Sequence, residues 1–544
     1  MTQADTQVTA TNAGGETVLD AFIVGCGVSG IEALHRLRSA GFDAIAVDAA
    51  DGVGGTWHWN RYPGARLDSE SYSYGYFFSE ELRNGWDWSE HFCGQPENER
   101  YFNYVVDALD LRPFMKLGTA VTSAHWDPDG GTWLVTTADG DRYRTRFLIT
   151  GIGILSDPKY PNIPGRERFS GAVAHTARWP KGGLDLKDKR VAVIGTGSSG
   201  VQTIAAIGPI VGSLTVFQRS PNWCPPLNNE PITPLEMAEI KGQYEAIWTK
   251  TRTTRGGFIH GPITASALSF SPEERRHWYE TLYGRRGFAR LYTNFIEVIR
   301  TKELNAEFSE FLAEKIRARV EDPEVAKKLI PVDHGFGQRR PPYETGYYEV
   351  YNQPNVELVD TTETPLAEIT ENGIRTTERE FEFDVIIYAT GFNSVTGAFE
   401  RIDIRGRDGA SLGDSWRQGP NTVAGLGTYG FPNLLMLGGP QAMGGNIPRC
   451  IEHQALFLDS LMRHMRDNGL SRIEPTQAAC DEWTAHVAEV VSMTLYAETK
   501  SGWFWNAVEG ATGHSFGIYP AGVVEYGRRL REIEANGYQG FVLS

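Results

Sequence analysis

Two segments of the chain show the same order of apolar and polar positions. In the first, an apolar run at residues 21–24 leads into the glycine-rich turn Gly25–Gly30, and a helical pattern continues to about residue 40. A second apolar run at residues 44–47 ends at Asp48. Strand, glycine turn, helix and strand in this order are typical of a βαβ unit with parallel strands.

The second segment repeats this pattern further along the chain. The run at residues 190–194 precedes the turn Gly195–Gly200, and the next strand, residues 214–217, ends at Gln218. The two turns lie 170 residues apart, so each can begin a domain of its own. The predicted fold class is therefore α/β, with two Rossmann-like dinucleotide-binding domains.

The remainder of the chain contains longer helical stretches and shorter strands. The pattern is helical from about residue 225 to 331, with a break at Asp322-Pro323. It becomes strand-like over residues 349–391 and then mixes strands, as at residues 434–437, with helices, as at residues 451–466. We therefore predict a helical insertion beside the two nucleotide-binding domains.

The composition is that of a large globular protein with excess glycine and excess negative charge. Glycine supplies 60 of 544 residues, or about 11%, against the roughly 7% expected. The 52 basic and 68 acidic residues give a net charge of −16, so neither a nucleic acid nor an anionic membrane surface is an expected partner. Any anionic ligand must then be bound by local devices such as helix N-termini and single arginines.

Two further features bear on the compartment. No apolar run reaches the length of a transmembrane helix, and residues 1–17 are predicted to be a polar, disordered tail without a signal pattern. The five cysteines are scattered and form neither a CxxC pair nor a metal-binding cluster. We therefore expect a cytoplasmic protein with no metal site and no disulfide framework.

The glycine turns have the spacing of dinucleotide-binding loops. In GxGxxG the first glycine makes the tight turn, the second lets backbone N–H groups approach a pyrophosphate, and the third lets the helix pack on the strand. The pyrophosphate lies at the positive end of the helix dipole. One copy is weak evidence, because a turn without a ligand has the same sequence, but two copies in βαβ context favour two nucleotides. The glycines are Gly25, Gly27 and Gly30 in the first loop and Gly195, Gly197 and Gly200 in the second.

The residues that follow the two loops differ in charge. Asp48, 18 residues after Gly30, can accept hydrogen bonds from a ribose with a free 2′-hydroxyl, as in FAD or NAD. The matching position of the second copy holds Arg219, followed by Ser220, and an arginine there suits the 2′-phosphate of NADP. A solvated surface arginine is the alternative for Arg219. Two nucleotide sites of different character predict a flavin that receives hydride from NADPH.

Four further motifs carry a resemblance to a known family. They are GGTWHWNRYPGARLD at residues 54–68, FSGAVAHTARWP at 169–180, FGQRR at 336–340 and YATGF at 388–392. Together they resemble the type I Baeyer–Villiger monooxygenases, the group that includes phenylacetone and cyclohexanone monooxygenases. The resemblance extends over about residues 18–544. The FxGxxxHxxxWP segment is far more specific for this family than GxGxxG, and its defining residues here are Phe169, Gly171, His175 and Trp179.

The resemblance implies an FAD- and NADPH-dependent oxidoreductase with the glutathione-reductase-like architecture of two-domain flavoproteins. Such an enzyme uses O2 to insert one oxygen atom beside the carbonyl of a small-molecule ketone, through a flavin peroxide, and gives an ester or lactone. The implied domains are residues 18–154 with 389–544 for FAD, residues 155–223 with 335–388 for NADP, and a helical insertion at 224–334. We expect the enzyme to be a monomer.

The resemblance also implies roles for individual residues. Arg340 is expected to lie over the flavin as the catalytic cation, and Asp68 to hold it. Without the resemblance, a solvated charge and a turn carboxylate would be the simpler interpretations. The FxGxxxHxxxWP segment is expected to couple the movement of the two domains. The residues expected to line the substrate pocket are Met443, Gly444, Asn446 and Ile447. The further cofactor-binding residues implied are Gly55, Thr56, Trp57, Trp59, Asp68, Tyr74, Thr196, Ser198, Ser199, Gln202, Arg339 and Trp503, with Trp505 as the alternative to Trp503.

The chain departs from the family pattern at three places. Ile154 stands where family members often have a glutamine, and Gly502 separates the serine from the tryptophan of the family's mobile loop. The segment after Gly439-Pro440, which lines the substrate pocket in the family, is shorter here. The resemblance therefore implies a pocket of different shape and does not identify the ketone.

Three other classes of protein share parts of this pattern. A flavin monooxygenase of amines or sulfides would share both glycine loops and residues 388–392, but would lack the segment at 169–180 and an arginine at 340. A disulfide reductase would need a redox-active cysteine pair, which the sequence lacks. A non-catalytic NADP(H) sensor would need neither Arg340 nor Asp68. The sequence therefore favours the ketone-oxidising enzyme.

Overall fold

The chain forms two domains, one built on a mixed sheet and one on a parallel sheet, with a helical insertion packed against both. The computed structural model describes residues 17–499, 502–506 and 515–544. The predicted α/β class with two Rossmann-like domains is confirmed. Of the predicted N-terminal tail, Thr17 begins the first strand, and the rest lies outside the described residues.

The first domain begins with the βαβ unit of the first glycine loop and continues into an antiparallel meander. Its N-terminal elements are β1 (Thr17–Val24), α1 (Val28–Ser39), β2 (Ala44–Val47), α2 (Thr56–Trp59), α3 (Ser71–Tyr74), α4 (Glu80–Asn84), α5 (Gln95–Ala108), β3 (Met115–Lys116), β4 (Val121–Asp127), β5 (Thr132–Thr137) and β6 (Arg142–Thr150).

The second domain and the insertion follow. The domain opens with β7 (Ala172–His175), β8 (Arg190–Ile194), α6 (Ser198–Ile207) and β9 (Ser213–Gln218). The insertion contains α7 (Pro234–Gly242), α8 (Tyr244–Thr253), α9 (Pro272–Tyr283), α10 (Ala289–Tyr292), α11 (Lys302–Arg319) and α12 (Pro323–Leu329). The domain closes with α13 (Tyr347–Val350), β10 (Val356–Asp360), β11 (Leu366–Ile369), β12 (Gly373–Thr376), β13 (Glu380–Glu382) and β14 (Val385–Tyr388).

The C-terminal part of the chain returns to the first domain. Its elements are β15 (Asp403–Arg405), α14 (Leu412–Ser415), β16 (Leu434–Met436), α15 (Ile447–Asp467), β17 (Ile473–Pro475), α16 (Gln477–Ser492), β18 (Trp505–Asn506), β19 (Ser515–Phe516), α17 (Val523–Ala535) and β20 (Phe541–Leu543). Short 3₁₀ turns connect some of these elements throughout the chain, for example at Leu495–Glu498.

The sheet of the first domain has the order β15-β4-β5-β6-β1-β2-β3, and β16 pairs with the far half of β6. β1 runs parallel to β2 and to β6, with Ile23 opposite both Ala46 and Ile149. Because the carboxyl ends of parallel strands meet at one edge, Gly25 after β1 and Asp48 after β2 lie side by side.

The sheet of the second domain is entirely parallel, in the order β10-β9-β8-β14-β7. Its carboxyl edge carries the second glycine loop after β8, Arg219 after β9 and His175 at the end of β7. The ligand-binding crevice of such sheets lies at this edge.

The insertion has no separate core. Tyr279 and Phe308 belong to the apolar core of the second domain, together with Val193 and Val216. Phe258 and Phe288 belong to the core of the first domain. The insertion therefore lies between the two domains and packs against each.

Two local expectations need correction, and two strands have no counterpart among the predictions. The strand-like region predicted from residue 349 begins with α13, which ends at Val350, and its first strand starts at Val356. The helix predicted at residues 451–466 begins earlier, at Ile447, because Pro448 is accommodated in its first turn. The strands β4 and β5 of the meander are not predicted, although Trp133 on β5 alternates with half-exposed neighbours as strands do.

None of the described helices is both long and apolar enough to cross a membrane. All five cysteines are buried free thiols.

Candidate nucleotide-binding and active site

The first glycine loop lies at the carboxyl end of β1 and is shaped by close backbone contacts. Gly25 has φ of +108°, and a Cβ there would come within 2.5 Å of the carbonyl oxygen of Gly151. A Cβ on Gly30 would lie 1.8 Å from the carbonyl oxygen of Gly25, so α1 packs on the loop only because both residues are glycine. α1 begins at Val28 without a side-chain cap, which leaves its first N–H groups for an anion.

The second loop has the same geometry and an open front. A Cβ on Gly195 would lie 2.5 Å from the carbonyl oxygen of Ala389, and one on Gly200 would lie 2.2 Å from that of Gly195. A Cβ on Gly197 would meet no atom within 4 Å. α6 begins at Ser198, also without a side-chain cap. The loop therefore leaves space in front of a positive helix end, as a pyrophosphate requires.

The segment after the first loop covers its front. Gly55 packs closely on the loop. A Cβ there would lie only 3.0 Å from the Cα of Gly27. The next residue, Thr56, is exposed, and Trp57 is buried. The indole N–H of Trp57 donates to the hydroxyl of Tyr74 at 3.0 Å. Burial raises the pKa of Tyr74 to about 12, so its hydroxyl stays protonated and can donate to a further acceptor.

Asp48 is held at the edge of the first loop by backbone donors. Its carboxylate accepts from the N–H of Cys26 at 2.6 Å and from that of Ala50 at 2.8 Å. Burial raises the pKa of Asp48, and these two hydrogen bonds offset part of the rise. The carboxylate is thus fixed beside the loop, where a ribose hydroxyl would approach.

Ser198 and Ser199 open α6 and link the second loop to its surroundings. The hydroxyl of Ser199 lies 3.1 Å from that of Thr176, just after β7. Thr196 donates its hydroxyl to the backbone carbonyl of Ser220 at 3.2 Å, which joins the loop to the end of β9. The glycine loop, the segment at residues 169–180 (the linker below) and the end of β9 therefore form one connected site.

A pair of arginines lies at the end of β9. Arg219 is exposed, and Arg339 donates from Nη1 to the hydroxyl of Ser220 at 2.9 Å. Arg339 also forms an ion pair with Asp333, with Nη2 at 2.7 Å from Oδ2. The chain thus brings Arg339 to Ser220, the neighbour of Arg219 in sequence, although 119 residues separate Ser220 from Arg339. Two guanidinium groups and a hydroxyl at this position suit a phosphate.

Arg340 points away from that pair and meets Asp68 of the first domain. Its guanidinium donates to Asp68 Oδ2, and Nη1 lies 3.4 Å from the hydroxyl of Ser198. Its backbone carbonyl accepts from the side chain of Asn222 at 3.1 Å. Burial lowers the pKa of Arg340, but the charge and hydrogen bond of Asp68 outweigh it, so the net shift is upward. The guanidinium therefore stays charged in a half-buried position between the two domains.

Aromatic rings, three from the insertion and one from the segment after Arg340, line the far side of Arg340. Its guanidinium carbon lies 5.4 Å from the ring centroid of Phe288. Phe288 packs on Tyr343, Phe258 and Tyr292, with ring centroids 4.9, 4.6 and 5.8 Å away. Burial raises the pKa of both tyrosines, so they remain neutral. This wall, called the aromatic wall below, lowers the local polarity beside a permanent cation.

The segment predicted to line the substrate pocket begins at the end of a loop and leads into α15. Its four predicted residues are Met443, Gly444, Asn446 and Ile447. A Cβ on Gly444 would lie 2.0 Å from the carbonyl oxygen of Tyr519, so the backbone is tightly fixed there. Asn446 donates from its side chain to the backbone carbonyl of Ser73 at 3.1 Å. The segment is therefore tied to α3, which follows Asp68.

The C-terminal segment with the two tryptophans lies against the arginine loop. A Cβ on Gly502 would lie 3.7 Å from Cγ of Arg339. The backbone carbonyl of Trp503 accepts from the hydroxyl of Ser394 at 3.0 Å. Trp505 instead packs on β19, with 5.1 Å between ring centroids. Trp503 directly follows Gly502, which approaches Arg339, whereas Trp505 lies further along the chain. Trp503 therefore stays the predicted mobile-loop tryptophan.

The FxGxxxHxxxWP segment runs along the second domain. A Cβ on Gly171 would lie 2.6 Å from the Phe169 ring, and Trp179 is buried in the second domain's core. Nδ1 of His175 accepts from the N–H of Ala177 at 3.0 Å. Burial lowers the pKa of His175 to about 4, so the ring is neutral and carries its proton on Nε2.

The same segment also contacts the first domain. The guanidinium of Arg178 stacks on the ring of Trp59, 4.4 Å from its centroid. It also donates at 2.8 Å to the backbone carbonyl of Ser156, which lies just after the first domain. Lys181 forms an ion pair with Asp51. These contacts connect the linker with both domains, which is the arrangement that coupling would require.

Sequence reasoning missed the role that the structure gives to Tyr62 and Gln202. The hydroxyl of Tyr62 donates to Gln202 Oε1 at 2.8 Å, and Gln202 Nε2 donates to the backbone carbonyl of Arg66 at 3.2 Å. Gln202, predicted to bind cofactor, thus bridges α6 to the segment before Asp68. The Tyr62 contact spans 140 residues, so no local pattern could have indicated it.

These features together fit two dinucleotides of different charge. The first site offers an uncapped helix end and the carboxylate of Asp48, which suit FAD. The second offers the open space at Gly197 and the cations of Arg219 and Arg339, which suit NADP. Arg340 contacts the second loop through the hydroxyl of Ser198 and the first domain through the carboxylate of Asp68.

Comparison with known proteins agrees with this geometry. A family model described as pyridine nucleotide-disulphide oxidoreductase matches residues 22–242. The chain is 43% identical to an acetone monooxygenase (methyl acetate-forming) of Gordonia sp. (strain TY-5), over 97% of this chain and 99% of that protein. It is 38% identical to a Baeyer-Villiger monooxygenase of Pseudooceanicola batsensis, over 96% of both chains.

Two further similarities extend the comparison. The chain is 39% identical to phenazine N-monooxygenase PhzNO1 of Lysobacter antibioticus, over 97% of both proteins. Among solved structures it is similar to OTEMO in complex with FAD and NADP, with a TM-score of 0.94 and 41% identity over 98% of this chain and all of that one.

Proposed function

Because the chain belongs to the Baeyer–Villiger monooxygenases, which are FAD- and NADPH-dependent flavoproteins, we propose that Arg340 acts on the carbonyl oxygen of a bound ketone. Asp68 is its positioning residue. The observation that carries this proposal is the location of a charged guanidinium between Asp68, the second glycine loop and the aromatic wall.

The physical reason lies in charge. Oxygen insertion beside a ketone passes through a state in which the carbonyl oxygen becomes negative. Arg340 keeps its proton throughout, and its pKa is raised further by Asp68. Because aromatic rings cover one side of the guanidinium, its attraction for an anion is less screened than in water.

FAD, when bound and reduced by NADPH, would activate O2, so that one oxygen atom enters the product and the other leaves as water. We propose that the first glycine loop binds its pyrophosphate, with Gly25, Gly27 and Gly30 allowing the approach. Asp48 accepts from its ribose. Further groups proposed to contact it are the side chains or backbone of Gly55, Thr56, Trp57, Trp59, Asp68 and Tyr74, with the Tyr74 hydroxyl as a protonated donor.

NADP(H) is proposed to bind at the second loop. Gly195, Gly197 and Gly200 shape the loop, and the residues around them supply hydrogen bonds. The 2′-phosphate is proposed to bind Arg219, Ser220 and Arg339, supported by the donation from Arg339 to Ser220. The other proposed contacts are Thr196, Ser198, Ser199, Gln202 and Trp503.

The segment at residues 169–180 is proposed to couple the two domains. Its neutral His175 lies at the carboxyl edge of the second sheet, while Arg178 stacks on Trp59 of the first domain. Movement of one domain would therefore act on the other through this segment. The proposed domain bounds are residues 18–154 with 389–544, 155–223 with 335–388, and 224–334.

The substrate is proposed to be a small ketone that enters beside the aromatic wall and the segment containing Met443, Gly444, Asn446 and Ile447. These groups would exclude water from the reacting atoms.

We infer a monomeric enzyme, because one chain supplies both nucleotide sites and Arg340. We infer a cytoplasmic location, because all five thiols are free, as a reducing compartment favours.

Product analysis with matched variants tests the role of Arg340. The FAD-loaded enzyme is given NADPH, O2 and a panel of ketones, and ester formed is compared with NADPH consumed. We expect Arg340→Ala to keep FAD and to oxidise NADPH, but to form ester at least about a hundredfold more slowly. Ester formation at the wild-type rate by this variant would overturn the assignment.

A control separates this effect from the loss of any arginine. Arg275 forms an ion pair with Glu307 through Nε and Nη2, within the insertion. Arg275→Ala should leave ester yield unchanged. An amine and a sulfide panel runs in parallel, because oxidation of those compounds without any ester would favour nitrogen or sulfur oxidation instead.

A further inference from the structure

A carboxylate occupies the place proposed for the 2′-phosphate of NADP(H). Arg339 Nη2 lies 2.7 Å from Oδ2 of Asp333, while Nη1 donates to the hydroxyl of Ser220 at 2.9 Å. The same Oδ2 lies 3.4 Å from that hydroxyl. Asp333 therefore contacts two of the three groups that would bind the phosphate.

Asp333 carries a full negative charge at neutral pH. Its other oxygen lies 2.6 Å from Nδ1 of His334, whose side chain is fully buried. Burial lowers the pKa of His334, so the ring is neutral and does not cancel the charge of Asp333. Burial raises the pKa of Asp333, but its bonds with His334 and Arg339 lower it by more.

Asp333 can leave this position, whereas Arg339 is more enclosed. The Asp333 side chain is 48% exposed, against 17% for Arg339, and the preceding Val332 is 93% exposed. A phosphate dianion and a carboxylate repel each other at such distances, so both cannot bind the same guanidinium face. Binding of the phosphate must therefore displace Asp333 toward solvent.

We propose that Asp333 is a specificity-determining residue, the counter-ion that Arg339 exchanges for the 2′-phosphate of NADP(H). The inference rests on the proposed function, in which Arg339 and Arg219 bind that phosphate. Without nucleotide, Asp333 neutralises Arg339 and holds it beside Ser220. With nucleotide, Asp333 lowers the affinity for the phosphate and speeds its release.

Binding of nucleotide fragments by calorimetry tests this exchange without any turnover. The probes are 2′,5′-ADP, which carries the 2′-phosphate, and 5′-AMP, which lacks it, each titrated into the FAD-loaded enzyme. Asp333→Asn should bind 2′,5′-ADP about fivefold more tightly than the wild type, because one like charge is removed. Its affinity for 5′-AMP should not change.

Two control variants make the outcome specific. Asp333→Glu keeps the charge and should show no comparable gain. Asp384→Asn removes a carboxylate that pairs with Arg190 at 2.9 Å, at the opposite edge of the same sheet, and should change neither affinity. If Asp333→Asn binds 2′,5′-ADP no more tightly than the wild type, or more weakly, the proposed exchange is wrong.

Arg339→Gln separates this failure from failure of the proposed site. That variant should lose most of the preference for 2′,5′-ADP over 5′-AMP. If it keeps the wild-type preference, Arg339 does not bind the 2′-phosphate, and the proposed NADP site is wrong. If the preference falls while Asp333→Asn gains nothing, the site stands and only the exchange fails.

Discussion

Gly197 and Gly200 belong to one loop, yet adding a methyl group would be tolerated by the fold at Gly197 and not at Gly200. A Cβ on Gly200 would lie 2.2 Å from a backbone carbonyl, whereas one on Gly197 would meet nothing within 4 Å. Gly197 has φ of −77°, which any residue adopts. Gly200 is thus required for folding, and Gly197 is required only if something binds in front of it.

This contrast gives a matched pair of substitutions. Gly197→Ala should leave the melting temperature unchanged and weaken NADP+ binding about tenfold, because the methyl group fills the space for the pyrophosphate. Gly200→Ala should cost about 3 kcal/mol of stability through overpacking. Calorimetric titration and thermal unfolding of the FAD-loaded enzyme measure both. Unchanged NADP+ affinity in Gly197→Ala would place the pyrophosphate elsewhere.

At the scale of single residues, the sequence predicted the glycines well. Their spacing encodes a local geometry, and the positive φ of Gly25 and Gly195 follows from it. The pairing of Asp68 with Arg340 was predictable only from the resemblance, because 272 residues separate them. Asp333 was not singled out, since one aspartate in a loop has no distinctive local pattern.

At the scale of elements, the packing of α1 on α15 contains a buried acid. Glu32 on α1 is 0% exposed, and Arg36 donates to its Oε1 at 3.0 and 2.7 Å. Glu452 and Arg449 face it from α15. Burial raises the pKa of Glu32 from 4.5 to about 7, and Arg36 offsets part of the rise. The folded protein therefore holds a proton there more tightly than the unfolded chain.

The sign of the pH dependence follows. Because the folded-state pKa is raised, the stabilisation is fully present below pH 4.5 and is lost as the pH rises through 7. Glu32→Gln removes this dependence. Between pH 5 and pH 8 the wild type should therefore lose about 2 kcal/mol of unfolding free energy that the variant keeps. The free energy of unfolding of the variant minus that of the wild type should rise by this amount. Urea denaturation at both pH values measures this, and an equal difference at the two pH values would show that Glu32 is ionised throughout.

Strands and helices with a local sequence pattern were predicted, whereas strands that depend on pairing with distant strands were predicted less well. The strands β1, β2, β8 and β9 follow from apolar runs next to glycine loops. The strands β4 and β5 are not predicted, because these half-exposed strands lack such markers and are stabilised by pairing with neighbouring strands.

At the scale of the whole molecule, three contacts join the two domains around the proposed reaction site. Asp68 pairs with Arg340, Tyr62 donates to Gln202, and Trp59 stacks on Arg178. Each links the segment after the first glycine loop to the second domain or its linker. No local pattern in the sequence encodes such contacts, because they arise from how folded domains pack, and only the Asp68–Arg340 pair was expected, from the family resemblance. Their position indicates that domain arrangement and the placement of Arg340 are set together.

The central claim is that Asp68 acts through Arg340, and a double-mutant cycle tests it most directly. The rate of ester formation is measured in a single turnover for the wild type, Asp68→Ala, Arg340→Ala and the double variant, each with its FAD content determined. We predict that Asp68→Ala slows ester formation about tenfold or more in the wild-type background and has no further effect when Arg340 is absent. An equal loss from Asp68→Ala in both backgrounds, or wild-type ester formation by Arg340→Ala, would contradict the account.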